Sequence, residues 1–164
     1  MRSDTPQFNP LSEARSYNAA IMKRYRKTFT VSPNDIDLNG HVGNIRYLEW
    51  FLEAATEHSE KLGLGFDALK AMHRTWVAKE HRIAYKHSAL EGDGLLLETW
   101  LESVKSVQGV RKYVLQNAAD GTLICEGETT WVFVELDTFR PKRIPEELMQ
   151  AYETYPNETE PRQR

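Results

Sequence analysis

Polar and apolar side chains alternate over residues 25–31, with Tyr25, Phe29 and Val31 on one parity and Arg26, Thr28 and Thr30 on the other. This is the pattern of a strand with one covered face. The period then changes. Over residues 45–62, Arg46, Glu49, Glu53, Glu57 and Glu60 recur at steps of three or four, which gathers them into one polar stripe along a helix. Tyr47, Leu48, Phe51, Leu52, Ala54 and Ala55 occupy the remaining faces, so a sheet can embrace this helix, and Gly63 supplies its C-terminal stop. Strand patterns return at residues 76–86, 95–105, 110–118 and 123–136, the last two joined by a turn at Asp120 and Gly121. Residues 146–152 read as a short helix. A helix followed by consecutive strands predicts an α+β domain, an antiparallel sheet wrapped around a long central helix, because a parallel sheet would need a crossover helix between strands.

A chain of 164 residues fits one domain with a core large enough to need no disulfide. Polar, proline-bearing ends set off a peripheral segment at residues 1–23 and a tail at 153–164, leaving 24–152 as the folded unit. The single cysteine, Cys125, lies in an apolar strand pattern and reads as a buried, inert thiol. The start MRSDTPQFNP lacks the basic-then-apolar design of a signal peptide, and no apolar run is long enough for a bilayer, so the expectation is a cytoplasmic protein without membrane insertion. A net charge of −3 offers no broad attraction for nucleic acid. The five histidines, His41, His58, His73, His81 and His87, show no metal-ligand spacing, so no metal is expected. The chain also lacks a GxSxG elbow, a P-loop and a GxGxxG fingerprint, which removes support for serine-hydrolase, phosphoryl-transfer and Rossmann redox chemistry.

Chemistry concentrates in DIDLNGHVGNIRYLEW, residues 35–50. Asp37, Asn39 and His41 converge on the turn that opens the helix, with Asn44 as its expected N-cap. A helix entrance carries unpaired N–H groups and partial positive charge, so backbone near Gly40 and Asn44 can polarise a carbonyl or hold an oxyanion. A carboxylate there can attack, or activate water. A plain capping turn is the competing structural reading, and it suits Asp35 as well as an acid role does.

This motif resembles the signature of hotdog-fold acyl thioesterases of the 4-hydroxybenzoyl-CoA thioesterase superfamily, and its DxNxH portion is similar to that of plant acyl-ACP thioesterases. The resemblance extends over residues 24–152 and implies a single hotdog domain that hydrolyses acyl thioesters to a carboxylic acid and a free thiol. It makes Asp37 the catalytic carboxylate, as general base or as nucleophile, with Asn39 and His41 orienting water or moving protons. The later acidic or cysteine position of the plant enzymes has no counterpart: Ala84 and Tyr85 stand there, with Glu80 nearby. Coenzyme A or an acyl carrier protein enters as part of the substrate, with no separate cofactor, and a homodimer or homotetramer is implied. Tyr47 and Trp50 are expected to border a substrate tunnel, and Arg140, Lys142 and Arg143 to meet phosphates or an acidic carrier, with Lys105, Arg111 and Lys112 as fallbacks. Two alternatives stay open: an enoyl-thioester hydratase or dehydratase of the same fold, and a non-catalytic acyl-CoA-binding module.

Overall fold

The structure, a computed structural model, describes residues 23–156, so most of the expected peripheral N-terminal segment and of the polar tail lies outside the described residues. Strand β1 (Tyr25–Thr30) leads through a single 3-10 turn at Pro33–Asp35 into helix α1 (Asn44–Lys61). A short helix α2 (Phe66–Ala71) follows, then β2 (Arg74–Tyr85), β3 (Gly94–Lys105), β4 (Gln108–Asn117), β5 (Leu123–Glu135) and α3 (Glu146–Thr154). The strands form one antiparallel sheet in the order β1-β3-β4-β5-β2. The meander of β3, β4 and β5 is thus flanked by the two strands that bracket α1 and α2 in the chain.

Two elements depart from the sequence expectation. Helix α2 lies in the stretch that carried no periodic signal, where six residues are too few to display one. Asn44 is not the N-cap of α1: Gly43 holds that position in extended conformation, and Arg46 N–H closes the first turn onto Gly43 O at 2.9 Å. Asn44 therefore already has helical geometry, and its side chain is not positioned as a cap.

Helix α1 buries Tyr47, Trp50, Phe51, Ala54, Ala55 and His58, a set spaced to face one side. These pack with Leu95, Leu97, Tyr113 and Leu115 of the sheet, and Phe51 stacks on Tyr113 with ring centroids 4.6 Å apart. A second apolar cluster joins Leu69, Leu101 and Phe133 to Leu148, Met149 and Tyr152 of α3. Close packing of α1 on the sheet depends on Gly127. A Cβ there would lie 2.7 Å from Phe51 Cε2 and 3.1 Å from Arg82 O.

The polar stripe on α1 faces partners rather than bulk solvent alone. Lys27 Nζ of β1 donates to Glu57 at 2.6 Å, and Arg46 reaches Glu49 at 2.8 Å and Glu53 at 3.4 Å. On the opposite face of the sheet, Arg24 and Arg26 hold Glu98 at 3.3 and 2.6 Å, and Lys112 pairs with Glu128. Among the described residues no helix is long and apolar enough to cross a membrane.

Candidate active site

Backbone bonds close the acidic turn tightly. Asp37 N–H donates to His41 O at 2.9 Å, Gly40 N–H donates to Asp37 O at 3.1 Å, and Ile36 bridges Val42. Such a turn needs a left-handed residue at its fourth position, and Gly40 supplies it with φ of +82°. The side chain of Asp37 folds back so that Oδ1 accepts Asn39 N–H at 2.8 Å, an Asx turn. Its carboxylate hangs beside the helix entrance: a Cβ on Gly43 would meet Asp37 Cβ at 3.5 Å and Oδ2 at 3.9 Å.

The two acids of the turn have different surroundings. Asp35 is buried, takes Ser32 N–H at 2.8 Å and Arg46 Nε–H at 2.6 Å, and Gly43 N–H binds its carbonyl. Burial opposes its ionisation, but the Ser32 amide and the Arg46 guanidinium outweigh that and hold its carboxyl below the usual range. Asp35 is a structural anchor. Asp37, by contrast, is exposed, and no cation pairs with it among the described residues.

The other expected site residues separate into groups. His41 is half-buried, with Nδ1 3.3 Å from Val42 O, a contact in which the ring nitrogen donates. Among the described residues no hydrogen bond links its ring to Asp37. Asn39 is exposed and bonds Asp37 through its backbone. The Gly40 amide is already committed to Asp37 O, so the expectation that it serves an oxyanion does not hold in this geometry. The N–H groups of Asn44 and the exposed Ile45 find no acceptor among the described residues and remain open donors at the helix start. Asn44 O accepts the Tyr85 hydroxyl at 3.0 Å, a tie between α1 and the end of β2 that no sequence signal announced. Burial raises the pKa of the Tyr47 and Tyr85 hydroxyls, so neither supplies a phenolate near neutrality. Glu80 lies at a bulge midway along β2, beside Arg82 at 3.5 Å, away from this turn.

Tyr47 and Trp50 are core residues. Trp50 packs on Phe29 and Tyr47, and the Tyr47 hydroxyl accepts Ala89 N–H at 3.3 Å, and neither lines a cavity that lies further along α1. That cavity, of about 350 Å³, lies between the C-terminal half of α1 and the sheet, walled by Leu52, Ala55, Ser59, Trp76, Arg111 and Trp131 among others. Leu52 follows Asn44 by eight residues, roughly 12 Å along the helix axis.

The basic segment is far from the turn in the same chain. Arg140 O accepts Glu135 N–H at the end of the β2–β5 ladder where Arg74 pairs Glu135, whereas Tyr85 marks the other end. An eleven-step strand separates these ends by roughly 35 Å. Arg140 and Arg143 are exposed, and Lys142 is drawn to Glu135 at 3.6 Å. Of the fallback cations, Arg111 is buried, not at the surface, since it shares the inward parity of Tyr113 and Leu115 on β4. That parity was readable in the sequence, and so was the inward spacing of His58 with Tyr47, Phe51 and Ala54.

The sequence profile of the acyl-ACP thioesterase N-terminal domain matches residues 22–152. The chain belongs to this family. Oleoyl-acyl carrier protein thioesterase 2 of Arabidopsis thaliana is 26% identical over 135 residues, covering 78% of this chain and 36% of the plant protein. The acyl-ACP thioesterase-family chain therefore spans about a third of the length of that relative. The long-chain acyl-CoA thioesterase FadM of Escherichia coli is 25% identical over 118 residues, covering 72% of this chain and 89% of FadM. Among solved structures, the 1,4-dihydroxy-2-naphthoyl-CoA thioesterase from Synechocystis superimposes with a TM-score of 0.73 at 18% identity, covering 79% of this chain and 95% of that one. The shared architecture is the hotdog fold.

Proposed function

We propose that this chain hydrolyses acyl thioesters to a carboxylic acid and a free thiol within a single hotdog domain at residues 24–152, its sheet wrapped around α1. The observation that carries this is the Asp37 carboxylate, exposed and free of any counter-ion among the described residues, held beside the open amides at the start of α1. A thioester carbonyl placed against the Asn44 and Ile45 N–H groups would have its developing oxyanion stabilised by the helix entrance. Asp37 would then act as general base on water or attack the carbonyl itself. His41 and Asn39 border that space and orient the water. Membership of the acyl-ACP thioesterase family supports the same chemistry.

The acyl group would run along α1 toward the partly open cavity, whose size falls near the lower end of the range for ligand pockets, about 300–1,000 Å³. Among the described residues strand β2 pairs only with β5, and it carries exposed Val77 and Tyr85, so its other edge suits a second copy in a homodimer. Antiparallel pairing of two β2 edges would bring the basic segment of one copy beside the acidic turn of the other. Arg140, Lys142 and Arg143 would then meet the phosphates of coenzyme A or an acidic carrier protein.

Thiol release from a panel of acyl-CoA and matched acyl-carrier substrates tests this reading, with Asp37→Asn as control. Loss of an essential proton-transfer or nucleophilic group should lower turnover by on the order of a hundredfold or more. A hydroxyacyl thioester as product, or normal turnover by Asp37→Asn, would overturn it.

A further inference from the structure

The apolar cavity contains a charge that the thioesterase reading does not use. Arg111 is 3% exposed, lies on the central strand β4 and lines the cavity wall. Its recorded hydrogen bonds both leave from Nη1, to His58 Nδ1 at 3.1 Å and to Thr99 Oγ1 at 3.2 Å. Its guanidinium also sits 5.5 Å from the Tyr152 ring. Every one of these partners is neutral. No carboxylate pairs with Arg111 among the described residues, although the same chain pairs its surface arginines readily, as at Arg26–Glu98 and Arg46–Asp35.

His58 cannot supply the missing charge. Because guanidinium nitrogens only donate, Nδ1 of His58 must accept, which leaves its proton on Nε2, and a second proton would place two cations in contact. Burial, joined by the charges of Arg111 and Lys61, pushes the His58 pKa down to about 3. A buried guanidinium is always ionised, so leaving it beside neutral groups is costly unless an anion completes the site.

The remaining wall restricts what that anion can belong to. Leu52, Ala55, Leu69, Trp76 and Leu101 give the space a mainly apolar surface, Thr56, Ser59 and Thr75 add only uncharged polar groups, and Arg111 is the one charged residue of the lining among the described residues, so one end of a ligand is charged. We propose that the cavity takes an aliphatic chain terminated by a carboxylate, with the carboxylate against Arg111. Two molecules carry that chemistry: an acyl thioester whose far end is an ω-carboxylate, and a free fatty acid entering carboxylate first. The ω-carboxyacyl substrate rests on the hydrolase reading, with the thioester at the α1 entrance and the carboxylate at the cavity floor. The free-acid contact does not depend on turnover.

Two arms separate these sources. In the first, quenching of tryptophan fluorescence, to which the cavity residues Trp76 and Trp131 contribute, is titrated with octanoate and with 1-octanol. Octanoate should bind about tenfold or more tightly than octanol, a discrimination abolished by Arg111→Met and partly kept by Arg111→Lys. In the second, kcat/KM is compared for hexadecanedioyl-CoA and hexadecanoyl-CoA, because His58, which Arg111 touches, follows Asn44 by fourteen residues, roughly 21 Å along the helix axis. A preference for hexadecanedioyl-CoA that reverses in Arg111→Met assigns the site to an ω-carboxyacyl substrate. Octanoate discrimination with no such preference assigns it to the free acid. Octanoate discrimination with no turnover of either thioester would sink the hydrolase reading while leaving the carboxylate site standing. Equal binding of octanoate and octanol by the wild-type protein overturns the proposal, whether or not Arg111→Met folds.

Discussion

Arg46 Nε donates to Asp35 Oδ1 at 2.6 Å, and this ion pair assigns the two acids of the helix-opening turn to different tasks. Asp35 is occupied on both oxygens, by Arg46 and by Ser32 N–H, and so fixes the loop to the first turn of α1. Replacing Asp35 with Asn should lower unfolding free energy by about 1–3 kcal/mol, because the bonds from Arg46 and from Ser32 N–H to this buried group lose their charge assistance, although Arg46 keeps Glu49 and Glu53. Asp37→Asn should leave stability nearly unchanged, since an amide oxygen can still accept Asn39 N–H. Urea unfolding of both variants, set beside their thiol-release rates, checks this contrast. Equal stability loss in the two would defeat it.

Gly127 and Phe51 form a second coupled pair. A methyl at Gly127 would overlap the Phe51 ring, which is itself stacked against Tyr113, and would press on the Arg82 carbonyl. Gly127→Ala should therefore cost about 1–3 kcal/mol by overpacking. Phe51→Leu makes room, so the double variant should lose less than the sum of the two single losses. A double-mutant cycle by chemical denaturation measures that coupling, and strict additivity would contradict it.

His58 should make the protein acid-sensitive well above the carboxylate range. Its folded pKa is depressed from the ordinary 6.5 to about 3, by burial first and then by the nearby cations. The unfolded chain thus takes up a proton that the folded chain refuses. The stability contribution is complete above about pH 6.5 and is lost as pH falls toward 3, at up to about 1.4 kcal/mol per pH unit. Denaturation midpoints between pH 7 and 4.5 should fall accordingly, and His58→Gln should flatten the slope. A wild-type slope of zero across that window would refute the assignment.

Cys125 should be silent toward thiol reagents in the native protein. It is fully buried on β5, and burial, with the neighbouring Glu126 charge adding to it, pushes its thiol up to about 12. Titration with a disulfide reagent should find no reactive thiol before denaturant is added and one per chain afterwards. Rapid native labelling would show that β5 opens locally.

The elements most legible in the sequence were those whose own side chains repeat the periodicity of their surroundings. Strand β1, helix α1 and strand β4 each carry their burial pattern locally, and the DxNxH turn announces a polar helix entrance. Helix α2 escaped notice because it is too short to show a period, and the N-cap shifted to Gly43 because the fold of the loop, not residue preference, chose which amide closes the first turn.

The sequence by itself determined the antiparallel α+β class, the polar turn that opens α1 and the inward parity of β1 and β4, because these depend on neighbours three or four residues apart at most along a helix and two along a strand. Tertiary structure decided which acid the Arg46 guanidinium would neutralise, that Tyr47 and Trp50 would fill the core instead of edging the cavity, and that the basic segment would stand at the far end of the sheet from the turn. It also left Arg111 without a carboxylate inside the cavity among the described residues. Each of these rests on contacts between positions tens of residues apart, set by strand register and by the docking of α1 on the sheet, and register is a property of paired strands that no single segment contains.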